Sequence, residues 1–198
     1  MLANRTLSTK DALGIFVLGL VINTMGLLYT QHHGLRHFHE KQCTNPRDLG
    51  FLSMGTDMSL KSALNSPLFV ALPVVSTLLS SQRLEILRDF AVLFGVVLMF
   101  RGVSISLTQL PHTTEVEQRS LLQQCLFGGD YDKIFSGHTA FMVIITMLLV
   151  QYGVWSPVMY LLPVVVGLVL VRTRSHYSVD VFLGGLISVL LVLVYRRT

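Results

Sequence analysis

Long apolar runs alternate along this chain with shorter polar stretches. The runs lie near Ala12–Thr30, Leu64–Ser81, Phe90–Leu110, Thr139–Val154, Pro157–Val171 and Val179–Tyr195. A membrane-spanning helix needs roughly 17–25 apolar residues, and each run is read as such a helix. The fourth and fifth runs are short and separated only by Trp155 and Ser156, which predicts a tight helical hairpin. A transmembrane β-barrel would alternate apolar and polar residues over about ten-residue strands, and continuous runs such as Val164–Val171 argue against it. The pattern therefore predicts an all-α membrane protein with six transmembrane helices, built as a single polytopic domain over residues 1–198. Residues 31–63 and 111–135 are predicted to be long loops, a length that in a compact protein usually carries function or motion.

Composition agrees with the membrane reading. The chain is 52% hydrophobic and only 13% charged, against about 25% charged in soluble domains. Its net charge of +4 suits an anionic lipid surface. No basic run or aromatic stacking platform points to nucleic acid. Six spans put both termini on one side, together with Arg5, Lys10, Arg83, Arg88, Arg196 and Arg197 in short flanking segments. Basic residues in short loops mark the cytosolic side, so both termini are expected in the cytosol. The first span reads as an uncleaved anchor. Cys43 and Cys125 fall in the two long loops on the opposite side, as a disulfide or as two separate thiols.

Two polar motifs interrupt the greasy sequence. One is Asp132-Lys133-Ile134-Phe135-Ser136-Gly137-His138-Thr139 and the other Arg172-Thr173-Arg174-Ser175-His176-Tyr177-Ser178-Val179-Asp180. Ionisable groups at membrane depth are costly and so point to function. His176 and Asp180 are four residues apart and would share a helix face. Asp180 can then accept the Nδ1 proton of His176 and leave Nε2 as a nucleophile. The plainer reading makes Asp180 a first-turn acid and Ser175 a helix cap. Ser136 and Gly137 open the fourth span, where free backbone N–H groups and a small residue suit a phosphate. His138 can protonate a departing alkoxide, or be an interfacial histidine beside a cap. Arg101 lies well inside the third span, where it either snorkels towards Pro111 or turns inward as a phosphate clamp. Arg172 would share a face with His176 if the fifth helix continued, and Arg174 is close to it in the chain. His32, His33, His37 and His39 read as polar residues at a span boundary rather than as a metal set.

These motifs resemble those of the sphingomyelin synthase family, within the wider type 2 phosphatidic acid phosphatase-like superfamily. An Asp followed after three residues by Ser-Gly-His-Thr matches Asp132–Thr139, and His-Tyr-Ser-x-Asp matches His176–Asp180. Arg101, Thr108 and the following Leu110-Pro111 match a third motif, with Arg88 upstream of it. The resemblance covers about residues 88–185. Arg174-Ser175-His176-Tyr177 also resembles the plant phosphatidylcholine:diacylglycerol cholinephosphotransferases. The chain departs from the pattern at Asp130-Tyr131, Asp89 and Leu98.

The resemblance implies a lipid headgroup phosphotransferase without metal or other cofactor. Its catalytic residues would be His138, His176 and Asp180. Arg101, Arg172, Arg174, Ser136 and Gly137 would hold phosphate, and Asp132, Tyr177 and Thr108 would meet substrate. A phospholipid would donate phosphocholine or phosphoethanolamine to ceramide or diacylglycerol through a histidine-linked intermediate. The expected setting is the Golgi, endoplasmic reticulum or plasma membrane, with a lumenal or exoplasmic active site. A lipid phosphate phosphatase or phospholipase-C-like hydrolase is the alternative enzyme, although Leu170 stands where a phosphatase-type Arg would precede the nucleophile. A lipid-binding scaffold is the alternative without catalysis.

Overall fold

Each apolar run forms a helix over most of its described residues. The structure, a computed structural model, describes residues 7–41, 48, 68–108, 110 and 133–196, the side chains of 34–41, 68 and 69 excepted. The helices are α1 (Thr9–Lys41), α2 (Leu68–Leu79), α3 (Arg83–Leu107), α4 (Gly137–Gln151), α5 (Leu161–Arg172) and α6 (Ser178–Tyr195), with a 3-10 turn at Pro157–Tyr160 leading into α5. No strand occurs among the described residues. By length and composition three helices suit a membrane crossing: Thr9–His33 of α1, and all of α3 and α6. Three shorter apolar helices stand beside them. Exposed Leu13, Val17, Leu72, Phe100, Leu107 and Phe182 give the bundle an apolar exterior, as a lipid-facing protein requires.

One boundary departs from expectation. Residues 31–63 do not form a single loop, because α1 continues through Lys41. The segment Gln31–Lys41 is polar but free of proline. Polarity ends an apolar span without ending a helix, whose backbone bonds are internal. At 33 residues α1 is about 50 Å long, more than the roughly 30 Å hydrocarbon core.

Packing explains how the shorter helices sit. α4 is the central helix, with Ala140, Ile144, Ile145, Leu148 and Leu149 in a core shared with Ile86, Leu93 and Val97 of α3 and Val192 of α6. The hairpin from α4 to α5 forms as the Trp155-Ser156 spacing predicts; Gly153 takes φ +71° in its turn, and Trp155 Nε1 donates to Ser76 Oγ of α2 at 3.0 Å.

α1 lies against α3 by glycine contact. A Cβ on Gly19 would strike the carbonyl of Gly95, and one on Gly26 would strike that of Gly102. Both pairs are spaced by seven residues, so the two glycines of each helix fall on one seam. Small residues let backbones approach closely where lipid offers no hydrophobic drive for helix association. Thr30 Oγ1 donates to the Ile105 carbonyl at 2.8 Å on the same seam.

The bundle has two polar ends. At one, Asp89 in α3 accepts from Tyr152 after α4 at 2.7 Å and from Tyr195 of α6 at 3.1 Å, and it pairs with Arg88 at 3.0 Å. The other end, where α3 finishes and α4 and α6 begin, carries the two histidine motifs.

Candidate active site

Ser136 is the N-cap of α4, in extended conformation, and its Oγ accepts the Thr139 N–H at 3.3 Å. The residue is fully buried. Its own N–H donates to the Asp180 carbonyl at 3.1 Å, which ties the two histidine motifs together through backbone. Gly184 of α6 permits this approach, since a Cβ there would lie 2.6 Å from the Ser136 carbonyl oxygen.

The second motif is a turn, not a continuous helix. α5 stops at Arg172, and Arg174 takes φ +52°, a left-handed conformation uncommon for a residue with a side chain. The His176 N–H then reaches back to the Leu170 carbonyl at 3.4 Å. Lys133 Nζ braces the turn by donating to the Ser175 carbonyl at 3.0 Å. The expectation that Arg172 shares a helix face with His176 therefore fails: the turn breaks the four-residue spacing. Arg172 and Arg174 are both exposed.

Ser175 is not the cap of α6; Tyr177 is. Asp180 sits at the third helical position and its Oδ2 accepts the Tyr177 N–H at 3.0 Å, the return half of a capping box. The same Oδ2 lies 3.2 Å from Nδ1 of His176. The capping and orienting readings of Asp180 thus hold together. A carboxylate bonded to the chain cannot drift, so the imidazole that shares it is fixed in direction. A further acid completes the helix end. Asp48, from the segment between α1 and α2, accepts both the N–H and the Oγ–H of Ser178 at 2.7 Å. Nothing local in the sequence marks Asp48, because its partner is 130 residues away.

His138 is exposed on the first turn of α4, and its ring centroid is 6.1 Å from that of His176. His176 is buried, at 6% exposure. Burial pushes its pKa well below the ordinary histidine value, and Lys133, His138 and Arg101 push the same way. The shift favours the neutral ring. The Tyr177 phenol is pushed up to about 12 by burial first and then by Asp180 and Asp48, and it remains a neutral hydroxyl.

Arg101 turns inward. It is 5% exposed, and its Nε donates to the Phe135 carbonyl at 3.2 Å. Its Nη1 donates to Asn23 Oδ1 of α1. A Cβ on Gly137 would lie 3.4 Å from Arg101 Nε, so the guanidinium passes beside the N-terminus of α4. Phe135 and Tyr177, one in each motif, are buried, Phe135 in the core shared by α3, α4 and α6. Phe141 instead packs with Phe90 and Phe94 in the core, and Phe182 faces outward at 64% exposure. Thr108 is the exposed C-cap of α3. Asp132, Cys43 and Cys125 lie outside the described residues, as do the side chains of His37 and His39.

The arrangement has a buried imidazole fixed by an acid, a second imidazole opposite it, a helix N-terminus and a buried guanidinium. Residues 129–197 match the family described as PAP2 superfamily C-terminal. The match supports the PAP2-like superfamily and fits a lipid phosphatase or phosphotransferase type of enzyme. It contains both histidine motifs, and it leaves Arg101, Thr108 and all of α1 outside. No curated protein matches the chain.

Proposed function

We propose that this protein is a membrane-embedded lipid headgroup phosphotransferase. His176 Nε2 attacks the phosphorus of a glycerophospholipid. The bond from phosphorus to the diacylglycerol oxygen breaks, and His138 gives that oxygen a proton. The headgroup is then held on His176 as a phosphohistidine. In the second half-reaction the hydroxyl of ceramide or diacylglycerol loses its proton to His138 while its oxygen attacks phosphorus. The P–N bond breaks and the electron pair returns to His176. Arg101 and the N-terminus of α4 at Ser136–Gly137 hold the phosphoryl oxygens through both steps. The exposed Arg172, Arg174 and Thr108 are proposed to meet headgroup and acceptor at the mouth of the site, and Tyr177 and Asp132 are proposed as further substrate-binding residues.

The observation that carries this reading is the set Asp180–His176–His138, with 3.2 Å between acid and nucleophile and 6.1 Å between the two rings. Burial of His176 favours transfer over hydrolysis, because an intermediate awaiting a second lipid must be kept from water. Purified protein given labelled phosphatidylcholine or phosphatidylethanolamine, with and without ceramide or diacylglycerol, provides the test. Transfer to the added alcohol should exceed hydrolysis, and His176→Ala should abolish turnover in a folded protein. If free phosphorylated headgroup or phosphate dominates at saturating acceptor, the hydrolase reading replaces this one.

A further inference from the structure

We infer that Asn23 of α1 is a positioning residue for Arg101, so that the first helix of the chain forms part of the phosphate site. The inference rests on the phosphotransferase reading only for its substrate; its geometry stands alone. Asn23 is 4% exposed, inside an otherwise apolar segment of α1. A buried amide needs partners, and Asn23 Oδ1 accepts from Arg101 Nη1. The amide orientation follows from chemistry, since a guanidinium only donates and must meet the oxygen.

The Asn side chain is short, and a close approach of α1 to α3 keeps its amide within the reach of Arg101. The glycine seam supplies that approach. Asn23 stands between Gly19 and Gly26, and a Cβ on Gly102, beside Arg101, would lie 2.9 Å from Asn23 Cα and 2.6 Å from the Ile22 carbonyl oxygen. Arg101 is thereby held from two sides. Asn23 fixes Nη1 and the Phe135 carbonyl, just before the α4 N-cap, fixes Nε. Both holding atoms are oxygens of neutral groups, which orient a guanidinium without cancelling its charge. A flexible Arg becomes a fixed one beside Ser136 and Gly137, which is what binding a phosphoryl oxygen at one place requires.

The test is a double-mutant cycle on purified protein, with orthovanadate as the phosphoryl probe and turnover of labelled phosphatidylcholine as the second readout. Asn23→Leu, Arg101→Ala and the double variant are compared, with Asn23→Ala in the same cycle should the leucine variant not fold. Asn23→Leu should weaken vanadate binding about tenfold or more, and the double variant should be no worse than Arg101→Ala alone. Thr30→Val removes another α1–α3 hydrogen bond without touching Arg101, and should leave vanadate affinity within about twofold of wild type. Additive losses in the cycle, or an equal loss on Thr30→Val, would show that Asn23 only docks the helix and would overturn the inference. Wild-type vanadate affinity in Arg101→Ala would overturn it too. Full turnover in His176→Ala would instead reject the phosphotransferase reading and leave the cycle intact.

Discussion

His176 owes its competence to its surroundings. A free histidine titrates near 6.5 and would be partly charged at neutral pH. Burial, Lys133, His138 and Arg101 all act against the charged form here. The acid limb that His176 imposes on kcat/KM should therefore lie below pH 6.5. Lys133→Met removes a cation that faces the ring and should move that limb towards neutral pH, with Lys133→Arg as the control that keeps the charge. A pH–rate series over the three proteins decides this, and an unmoved limb would mean that another group titrates. The same shift acts on folding. The unfolded chain takes up a proton near pH 6.5 and the buried ring does not, so this contribution to stability is fully present above that pH. It is lost as pH falls from there through the lower folded value. Asp180→Asn should keep the Tyr177 bond through its amide oxygen yet impair turnover severely, because the imidazolium formed in the reaction loses its charged partner.

At the scale of elements, each end of the bundle has a polar fastening, and the two ends do different work. Asp89 fastens α3 to the chain just after α4 and to the last residue of α6. It lies twelve residues before Arg101, about 18 Å along α3. Asp89→Ala leaves two tyrosine hydroxyls and Arg88 without their shared acceptor, at a cost of about 2 kcal/mol. The unfolding midpoint in detergent should fall while turnover per folded molecule stays near wild type. A large loss of turnover with an unchanged midpoint would show that this end communicates with the histidines. The glycine seam has the opposite profile. Gly102→Leu would drive a side chain into the Ile22 and Asn23 backbone, separating α1 from α3 and releasing Arg101, so stability and turnover should fall together.

For the whole molecule, the alternation of helices places the Asp89 cluster and the histidine motifs at opposite ends of the bundle. With the termini in the cytosol, as the basic residues in short segments suggest, the histidines face away from it. Single cysteines introduced at Ser175 and at Arg196 in sealed vesicles should react with an impermeant reagent from opposite sides. Reaction of both from one side would reject six spans with an exoplasmic or lumenal site.

Much of this was legible in one dimension. Apolar runs gave the helices, because in lipid only a continuous apolar helix satisfies its own backbone. The two histidine motifs were legible too, since polar residues inside such runs are rare enough to stand out. The spacing of His176 and Asp180 pointed to their contact, but His176 precedes the cap of α6, so the turn and the capping box bring them together rather than a shared helix face. The continuation of α1 to Lys41 is not legible in this way, because polarity ends an apolar span without ending a helix. Tertiary structure alone decided the rest. It broke the Arg172–His176 spacing with a left-handed residue at Arg174. It also brought Asp48 to Ser178 and Asn23 to Arg101, pairs 130 and 78 residues apart. Sequence by itself determines what repeats with a helix period or lies within one turn, because those contacts follow from local geometry. Contacts between helices depend on which faces meet, and here a glycine seam set that choice.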